Sequence, residues 1–378
     1  YSDFGLMLGF NLQEQNFLGS GNTVGIGINK NIYSEMYNIS YMNPYATRDA
    51  VSLGYNVFFR ETDYGEFNVA NYLTNSNGFG AQFGYPISDI SRLGFNITYD
   101  KTDIDIGTLP AREIYDFVSV EGNIFETLTA QLSWQQVTLN RGLFPTDGAS
   151  TVVSFSSTIP GSDLNYYRFN IRQRYYQPLS SDFVFGFQGE IGYLDSYGDT
   201  EEIPFFQNFY AGGPRSLRGF ESNTLGPRST DAPCYEFNYE EGTCPNLIDT
   251  DGDGEADAPY LNPYANQGQR SRYRDAPIGG NIKVEGSLQL IFRLPFIEDQ
   301  RSLRSAFFFD FGNVFSDNCK EYQINCSELS VDELRYSYGV GVTWITGFGP
   351  MSLAIAKPTN AGPLERTEEF QFTVGNVF

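Results

Sequence analysis

Histidine is absent from this chain of 378 residues. A Ser-His-Asp triad, a histidine-ligated zinc site and a histidine general base therefore cannot be built from it. No apolar stretch approaches the length of about 18 residues that a transmembrane helix requires, which excludes a helical membrane protein. Cations are scarce, because 24 lysine and arginine residues stand against 46 acidic residues and give a net charge of −22. This balance argues against electrostatic binding of nucleic acid and is typical of solvated acidic loops.

Cysteine is also rare, with four residues in two close pairs, Cys234/Cys244 and Cys319/Cys326. Both pairs lie in polar segments rich in turn-forming residues. Such placement favours two local disulfides formed in an oxidising compartment. A four-cysteine metal site is the alternative, but neither pair has the short C-x₂₋₄-C spacing that is usual for such sites.

Aromatic residues and glycine are abundant, and many short segments alternate between apolar and polar residues. In "YYRFNIRQRYY" (166–176), one face of a strand carries aromatic and aliphatic side chains, whereas the other carries Arg168, Arg172 and Arg174. A soluble sandwich would bury the apolar face in a core. In a transmembrane barrel that face meets lipid, the polar face lines a wet lumen, and tyrosines flank the apolar centre, as they do here.

The alternation predicts an all-β fold, a transmembrane antiparallel β-barrel with about fifteen strands in this chain. The predicted segments lie near 4–14, 22–32, 35–43, 49–60, 77–87, 92–101, 127–139, 149–159, 165–177, 182–195, 280–293, 303–315, 334–346, 349–357 and 368–378. Short turns alternate with long connections, the longest being 196–279, as expected for extracellular loops. Because single-chain bacterial barrels have an even number of strands, we predict a further strand upstream of Tyr1. The segment 110–121 opens with proline and predicts a short helix within a loop.

Several motifs point to one family. The most specific is Leu-Arg-Gly-Phe at 217–220, and it stands in register with "NFLGSG" (16–21), "NPYATRDAVSLGYNVFF" (43–59) and "FFFDFGNVF" (307–315). In these motifs the chain resembles the C-terminal barrel of the BamA family, the outer-membrane protein assembly factors of Gram-negative bacteria, nearly end to end. The resemblance implies a sixteen-strand barrel in the outer membrane, with residues 1–378 forming the barrel domain and the family's periplasmic domains absent from this chain.

The resemblance also implies a role for the longest loop, 196–279. In the family this loop folds back into the lumen, and the tip formed by Arg218, Gly219 and Phe220 docks on the inner barrel wall. The arginine then meets an acidic side chain, for which Asp310 stands at the matching position, and alternation independently places Asp310 on the polar face. Family members often carry a second acid on the preceding strand. Two residues of this chain are candidates for that second partner, Gln289 at the matching position and Glu285 on the same face.

The function that the resemblance implies is not an enzymatic reaction. BamA-like barrels catalyse folding and insertion of other β-barrel proteins into the outer membrane, through a weak seam between the first and last strands that pairs with an incoming strand. The implied partners are unfolded outer-membrane β-barrel proteins, outer-membrane lipid, and accessory lipoproteins that contact the periplasmic domains. The seam residues expected in the last strand are Phe372, Val374, Gly375 and Phe378.

Three other functions compete with this one. A passive porin shares the strand pattern, but a long loop led by an Arg-Gly-Phe motif would be unusual in it. A two-partner secretion transporter has a related barrel and motif, yet it exports one dedicated protein. An outer-membrane phospholipase or protease is disfavoured, because such enzymes usually need a histidine or paired acids beside a nucleophile.

The acidic stretch "DTDGDGEAD" (249–257) is a candidate metal site. Asp249, Asp251, Asp253 and Asp257 have the spacing of positions 1, 3, 5 and 9 of an EF-hand loop. Tyr260 stands where the bidentate glutamate would be. We therefore expect at most a weak extracellular calcium site, and otherwise no cofactor. The incomplete ligand set favours an ordinary acidic surface loop over such a site.

Overall fold

The computed structural model describes residues 8–65, 69–107, 110–234, 237–238, 241–261, 276–294, 297, 302–323, 325–347 and 349–375. Fifteen strands form one antiparallel sheet in which each strand pairs with its neighbours along the chain. These strands are β1 (Leu8–Glu14), β2 (Thr23–Lys30), β3 (Ser34–Asn43), β4 (Ser52–Asp63), β5 (Leu73–Ser88), β6 (Ser91–Asp105), β7 (Ile124–Val137), β8 (Gly148–Thr158), β9 (Tyr166–Pro178), β10 (Phe183–Ser196), β11 (Ile282–Phe292), β12 (Leu303–Phe315), β13 (Arg335–Thr346), β14 (Gly349–Pro358) and β15 (Phe370–Val374). The predicted all-β barrel is confirmed.

Side-chain alternation gives the sheet two different faces. On β12, Phe307 exposes 54% of its surface, whereas its neighbour Phe308 exposes 4% and Asp310 is fully buried. The outward face is therefore apolar and uncovered, and the inward face is polar and covered by other parts of the chain. This is the arrangement that the sequence predicts.

Predicted strand ends differ from the observed ends mainly where strands continue into polar residues. The fifth strand was expected near 77–87, but β5 begins at Leu73, because Thr74, Asn75 and Ser76 pair with β6 as far as Asp105. Ladder hydrogen bonds extend there beyond the apolar stretch, so hydrophobic alternation does not reveal them.

The sheet has two edge strands. In the described part of the chain, β1 pairs with β2 alone and β15 pairs with β14 alone, and no ladder joins β1 to β15. A strand upstream of Tyr1 stays a prediction.

Helices are short. The predicted helix is confirmed as α1 (Arg112–Glu121), which buries Ile114 and Phe117. Single 3-10 turns occur at Phe17–Gly19, Phe205–Gln207 and Val331–Glu333. Among the described residues, no helix has both the length and the apolar character needed to cross a membrane.

The largest apolar core lies where α1 and the connection from β10 to β11 meet the inward face of the strands. It contains Phe117 of α1, Phe125 of β7, Leu194 of β10, and Phe205 and Phe220 of the connection. Edge-to-face ring contacts link Phe117 to Phe205 at 5.2 Å between centroids. The core fixes the long connection against the barrel wall and so positions the motif at 217–220.

Candidate functional site

Arg218 lies at the tip of the long connection and reaches β12. Its Nε donates to Oδ2 of Asp310 at 2.7 Å, and its Nη2 donates to Oδ1 at 2.7 Å. The backbone N–H of Arg218 also donates to Oδ2, at 3.2 Å. Both side chains are buried. The structure therefore brings together the two residues that the family resemblance pairs, in a bidentate geometry that only arginine can form.

Two further side chains complete the surroundings of the guanidinium. Nη2 of Arg218 donates to Oγ of Ser287 at 2.9 Å, and the guanidinium carbon lies 3.5 Å from the ring centroid of Phe308. Ser287 lies directly opposite Asp310 in the β11–β12 ladder, and Phe308 lies two residues before Asp310. Neither role is predicted from the sequence. The signal was present, since alternation places both residues on the same face as Asp310.

The two candidates for a second partner of Arg218, Gln289 and Glu285, bond to Ser287 and Ser216, respectively. Gln289 donates from Nε2 to Oγ of Ser287 at 3.3 Å and thus touches the residue that holds Arg218. Glu285 accepts a hydrogen bond from Oγ of Ser216 at 2.5 Å. It also pairs with Lys283 at 3.1 Å. Glu285 therefore binds a different residue of the same loop.

Gly219 and Phe220 lie against the last strands of the sheet. Gly219 has φ = +91°, and a Cβ at this position would lie 3.1 Å from Cβ of Ala356 on β14. Phe220 is fully buried in the core. The backbone of the two residues pairs with Thr367–Glu368 as a two-residue ladder just before β15. Glycine is needed here both for its conformation and for the close approach of the loop to the wall.

The side chain of Gln371 on β15 forms hydrogen bonds with backbone groups of the motif at 217–220. Its Oε1 accepts from the N–H of Gly219 at 3.3 Å, and its Nε2 donates to the carbonyl oxygen of Phe220 at 2.8 Å. The side chain of Gln371 is fully buried. This contact was also missed, although alternation places Gln371 on the polar face.

The other described residues of the predicted seam lie on β15 or directly after it. Phe372 and Val374 pair with Leu353 and Met351 of β14. The N–H of Gly375 donates to the carbonyl oxygen of Pro350 at 2.7 Å. Gly375 has φ = +86°, which ends the regular strand conformation. Phe378 lies outside the described residues.

A second set of contacts joins the long connection to α1. Oγ1 and N–H of Thr230 both donate to the Glu113 carboxylate, at distances from 2.7 to 3.1 Å. Burial raises the pKa of Glu113 above its ordinary value, and the bonds from Thr230 only partly oppose this. The hydroxyl of Tyr322 donates to Asp116 at 2.6 Å, while the guanidinium of Arg112 stacks on the Tyr322 ring. Helix α1 thus contacts both the long connection and the loop between β12 and β13.

Both predicted disulfides are present, Cys234–Cys244 and Cys319–Cys326. Each closes a short loop outside the strands.

The acidic stretch brings together three of its four expected ligands. Carboxylate oxygens of Asp249, Asp251 and Asp253 lie within 4.8 Å of one another, and all three residues are exposed. Backbone N–H groups of Gly254 and Gly252 lower the pKa of Asp249. Asp257 is not part of the group, because its carboxylate accepts from the hydroxyl and N–H of Thr250. A calcium site here stays a prediction.

The Omp85 superfamily domain matches residues 16–378. The chain belongs to the Omp85 superfamily. Outer membrane protein assembly factor BamA of Neisseria meningitidis serogroup B is 28% identical over 404 aligned residues, which cover 100% of this chain and 46% of that protein. This chain therefore spans about half the length of that relative.

Two solved structures have a similar fold. The crystal structure of BamA from Haemophilus ducreyi lacking POTRA domains 1-3 matches with a TM-score of 0.80 and 28% identity, over 98% of this chain and 67% of that chain. CdiB from Escherichia coli matches with a TM-score of 0.55 and 9% identity, over 97% of this chain and 58% of that chain, and this likeness shows the fold alone. The superfamily and the barrel fold place the chain in the outer membrane of Gram-negative bacteria.

Proposed function

We propose that this barrel catalyses the folding and insertion of β-barrel proteins into the Gram-negative outer membrane, as the core subunit of an assembly machinery. The observation that carries the proposal is the last strand, β15, which among the described residues pairs with β14 alone, in a chain that is similar over its whole length to an outer membrane protein assembly factor. A sheet edge presents backbone N–H and C=O groups that can pair with an additional strand.

The chemistry of this activity is strand pairing and needs no reaction of covalent bonds. An unfolded client adds a strand to the edge of β15 by β-augmentation, and later strands follow by hairpin formation. Phe372 points to the outward face, so the edge offers an apolar side to lipid while pairing proceeds. We propose that the seam lies at Phe372, Val374, Gly375 and Phe378.

The proposed partners follow from the same reasoning. They are unfolded outer-membrane β-barrel proteins and the surrounding outer-membrane lipid. Accessory lipoproteins are proposed to bind the periplasmic domains that precede barrels of this kind, outside the present chain.

A two-partner secretion-type translocation pore is the alternative, since the CdiB likeness shows a shared fold. A passive porin is less favoured, because a porin conducts through an open lumen. Here the segment around Arg218 lies against the inward face of β11, β12 and β15.

The proposal is tested with the full-length protein reconstituted in liposomes. A urea-unfolded outer-membrane protein is added, and its folding rate is followed by heat-modifiability on a gel. We expect faster folding than in empty liposomes, and slower folding with Arg218→Ala than with the control Arg48→Ala, which removes an exposed arginine from the turn between β3 and β4. Steady bilayer conductance without acceleration would contradict the proposal and favour a pore.

A further inference from the structure

Three cavities among the described residues have linings of the opposite charge to the molecule as a whole. Three cavities of about 700, 620 and 470 Å³ are lined by nine of the 24 cationic residues and by three of the 46 acidic residues. Acids outnumber cations about two to one in the chain, whereas cations outnumber acids three to one in these linings. Cationic residues are therefore enriched in these three linings relative to the chain as a whole.

The largest of these cavities lies between β8–β11, the Arg218 loop and β15. Its charged lining residues are Arg172, Arg174, Arg215, Arg218, Lys283, Glu190 and Glu285. Three of the five cations already have acidic partners. Arg218 pairs with Asp310, Arg172 lies 3.0 Å from Glu190, and Lys283 contacts both glutamates.

Arg174 and Arg215 remain without a carboxylate within 4.0 Å in the described part of the chain. Arg174 projects from β9, and Arg215 comes from the loop three residues before Arg218, so the two approach the cavity from different elements. The two glutamates of the lining already form ion pairs or hydrogen bonds with Arg172, Lys283 and Ser216. The cavity therefore has unneutralised positive charge.

An independent observation concerns Thr373 of β15. Its side chain is buried and lines the same cavity, and its Oγ1 has no hydrogen-bond partner among the residues that the structure describes. A buried hydroxyl without a partner is unfavourable, which indicates a place for a polar group in the cavity. The unused polar groups around the cavity are thus two guanidinium groups, which can only donate, and a hydroxyl, which can donate as well.

We propose that this cavity is a binding site for an oxyanion, a phosphate or carboxylate group, held by Arg174 and Arg215 with Thr373 as an additional donor. The planar fork of a guanidinium matches two oxygens of such a group. Both arginines are exposed, so salt screens this attraction. The site does not depend on the function proposed above.

The test uses the full chain refolded in detergent micelles, with inorganic phosphate titrated in a calorimeter at constant ionic strength. Wild type binds phosphate, and the double substitution Arg174→Gln/Arg215→Gln weakens binding about tenfold or more, since charge-assisted hydrogen bonds are the strong ones. Arg48→Gln is the control for the loss of one exposed positive charge, and it leaves the affinity unchanged. Absence of phosphate binding to wild type, or equal binding by the double variant, overturns the proposal.

A second measurement needs no variant and so covers the case in which the double variant fails to fold. Phenylglyoxal modifies accessible arginines of the wild-type protein, and mass spectrometry reads each site. We expect phosphate to protect Arg174 and Arg215 but not Arg48. Equal modification with and without phosphate contradicts the site.

Competition identifies the natural source of the oxyanion. Displacement of phosphate by a short aspartate-rich peptide assigns the site to carboxylates of a polypeptide. Displacement by a short-chain phosphatidic acid, and not by the peptide, assigns it to a phosphate headgroup. Both outcomes support an oxyanion site, whereas protection by uncharged glycerol alone would overturn it.

Discussion

The side-chain amide of Gln371 donates to the carbonyl oxygen of Phe220 at 2.8 Å and accepts from the neighbouring N–H of Gly219. A residue of the edge strand β15 thus satisfies two backbone groups of the docked loop. Because backbone groups of the loop are buried there, displacement of β15 leaves them without partners. The docked state of the loop and the position of the edge strand are therefore energetically coupled.

We expect Gln371→Ala to loosen the loop and destabilise the barrel by about 2–3 kcal/mol, because two buried backbone groups lose their partner. Limited proteolysis of the loop and the temperature of the heat-modifiability shift measure the effect. The matched control is Gln131→Ala, which removes a hydrogen bond to Asn96 elsewhere on the wall. Equal proteolysis of the two variants would show that the contact does not fix the loop.

The contribution of the Arg218–Asp310 pair to stability can be tested with single and double substitutions. Arg218→Leu and Asp310→Leu each leave one buried charge uncompensated, so we expect a loss of about 3–5 kcal/mol for either. Lysine does not rescue the site, since a single ammonium group cannot replace the fork that binds both oxygens and Ser287. Urea titration of the folded band is the measurement. We expect the double variant Arg218→Leu/Asp310→Leu to lose less than the sum of the single losses; additive losses would mean that the two side chains act independently.

Gly219→Ala tests the close approach of the loop to β14. A left-handed conformation costs a non-glycine residue about 1–2 kcal/mol, and the new Cβ would lie 3.1 Å from Cβ of Ala356. We expect a lower transition temperature and faster loop proteolysis. Gly347→Ala is the control, because a Cβ at that turn meets no atom within 4 Å. If both variants melt together with wild type, the backbone conformation of Gly219 is not a constraint.

The contact between α1 and the long connection should depend on pH. Because burial raises the pKa of Glu113 in the folded protein, the contribution of this group is fully present below its ordinary value of 4.5 and is lost as the pH rises through the raised value. We expect the amides of α1 to exchange more slowly, relative to their intrinsic rates, at pH 5 than at pH 8. Glu113→Gln should remove this difference, and a persistent difference in that variant would assign it to another group.

The sequence predicts most of the barrel because strands between lipid and a polar interior must alternate with period two. The ends of β5 and β6 escaped prediction, since polar residues such as Asn75 and Asp103 still pair there. Asp310 was found through the family resemblance together with alternation. The contacts of Ser287, Phe308 and Gln371 with the loop were not found, because an irregular segment has no period that could show where it meets the wall.

The tie between Gly219 and Gln371 also constrains the order of folding. The two residues are 152 positions apart in the sequence. Gly219 is therefore synthesised long before Gln371, the residue that completes the contact. Closing such a long interval is entropically slow compared with pairing adjacent hairpins. The last contacts of the loop tip therefore form late, and a chain truncated before Gln371 keeps the Arg218–Asp310 pair but lacks the two hydrogen bonds between the Gln371 amide and the loop tip.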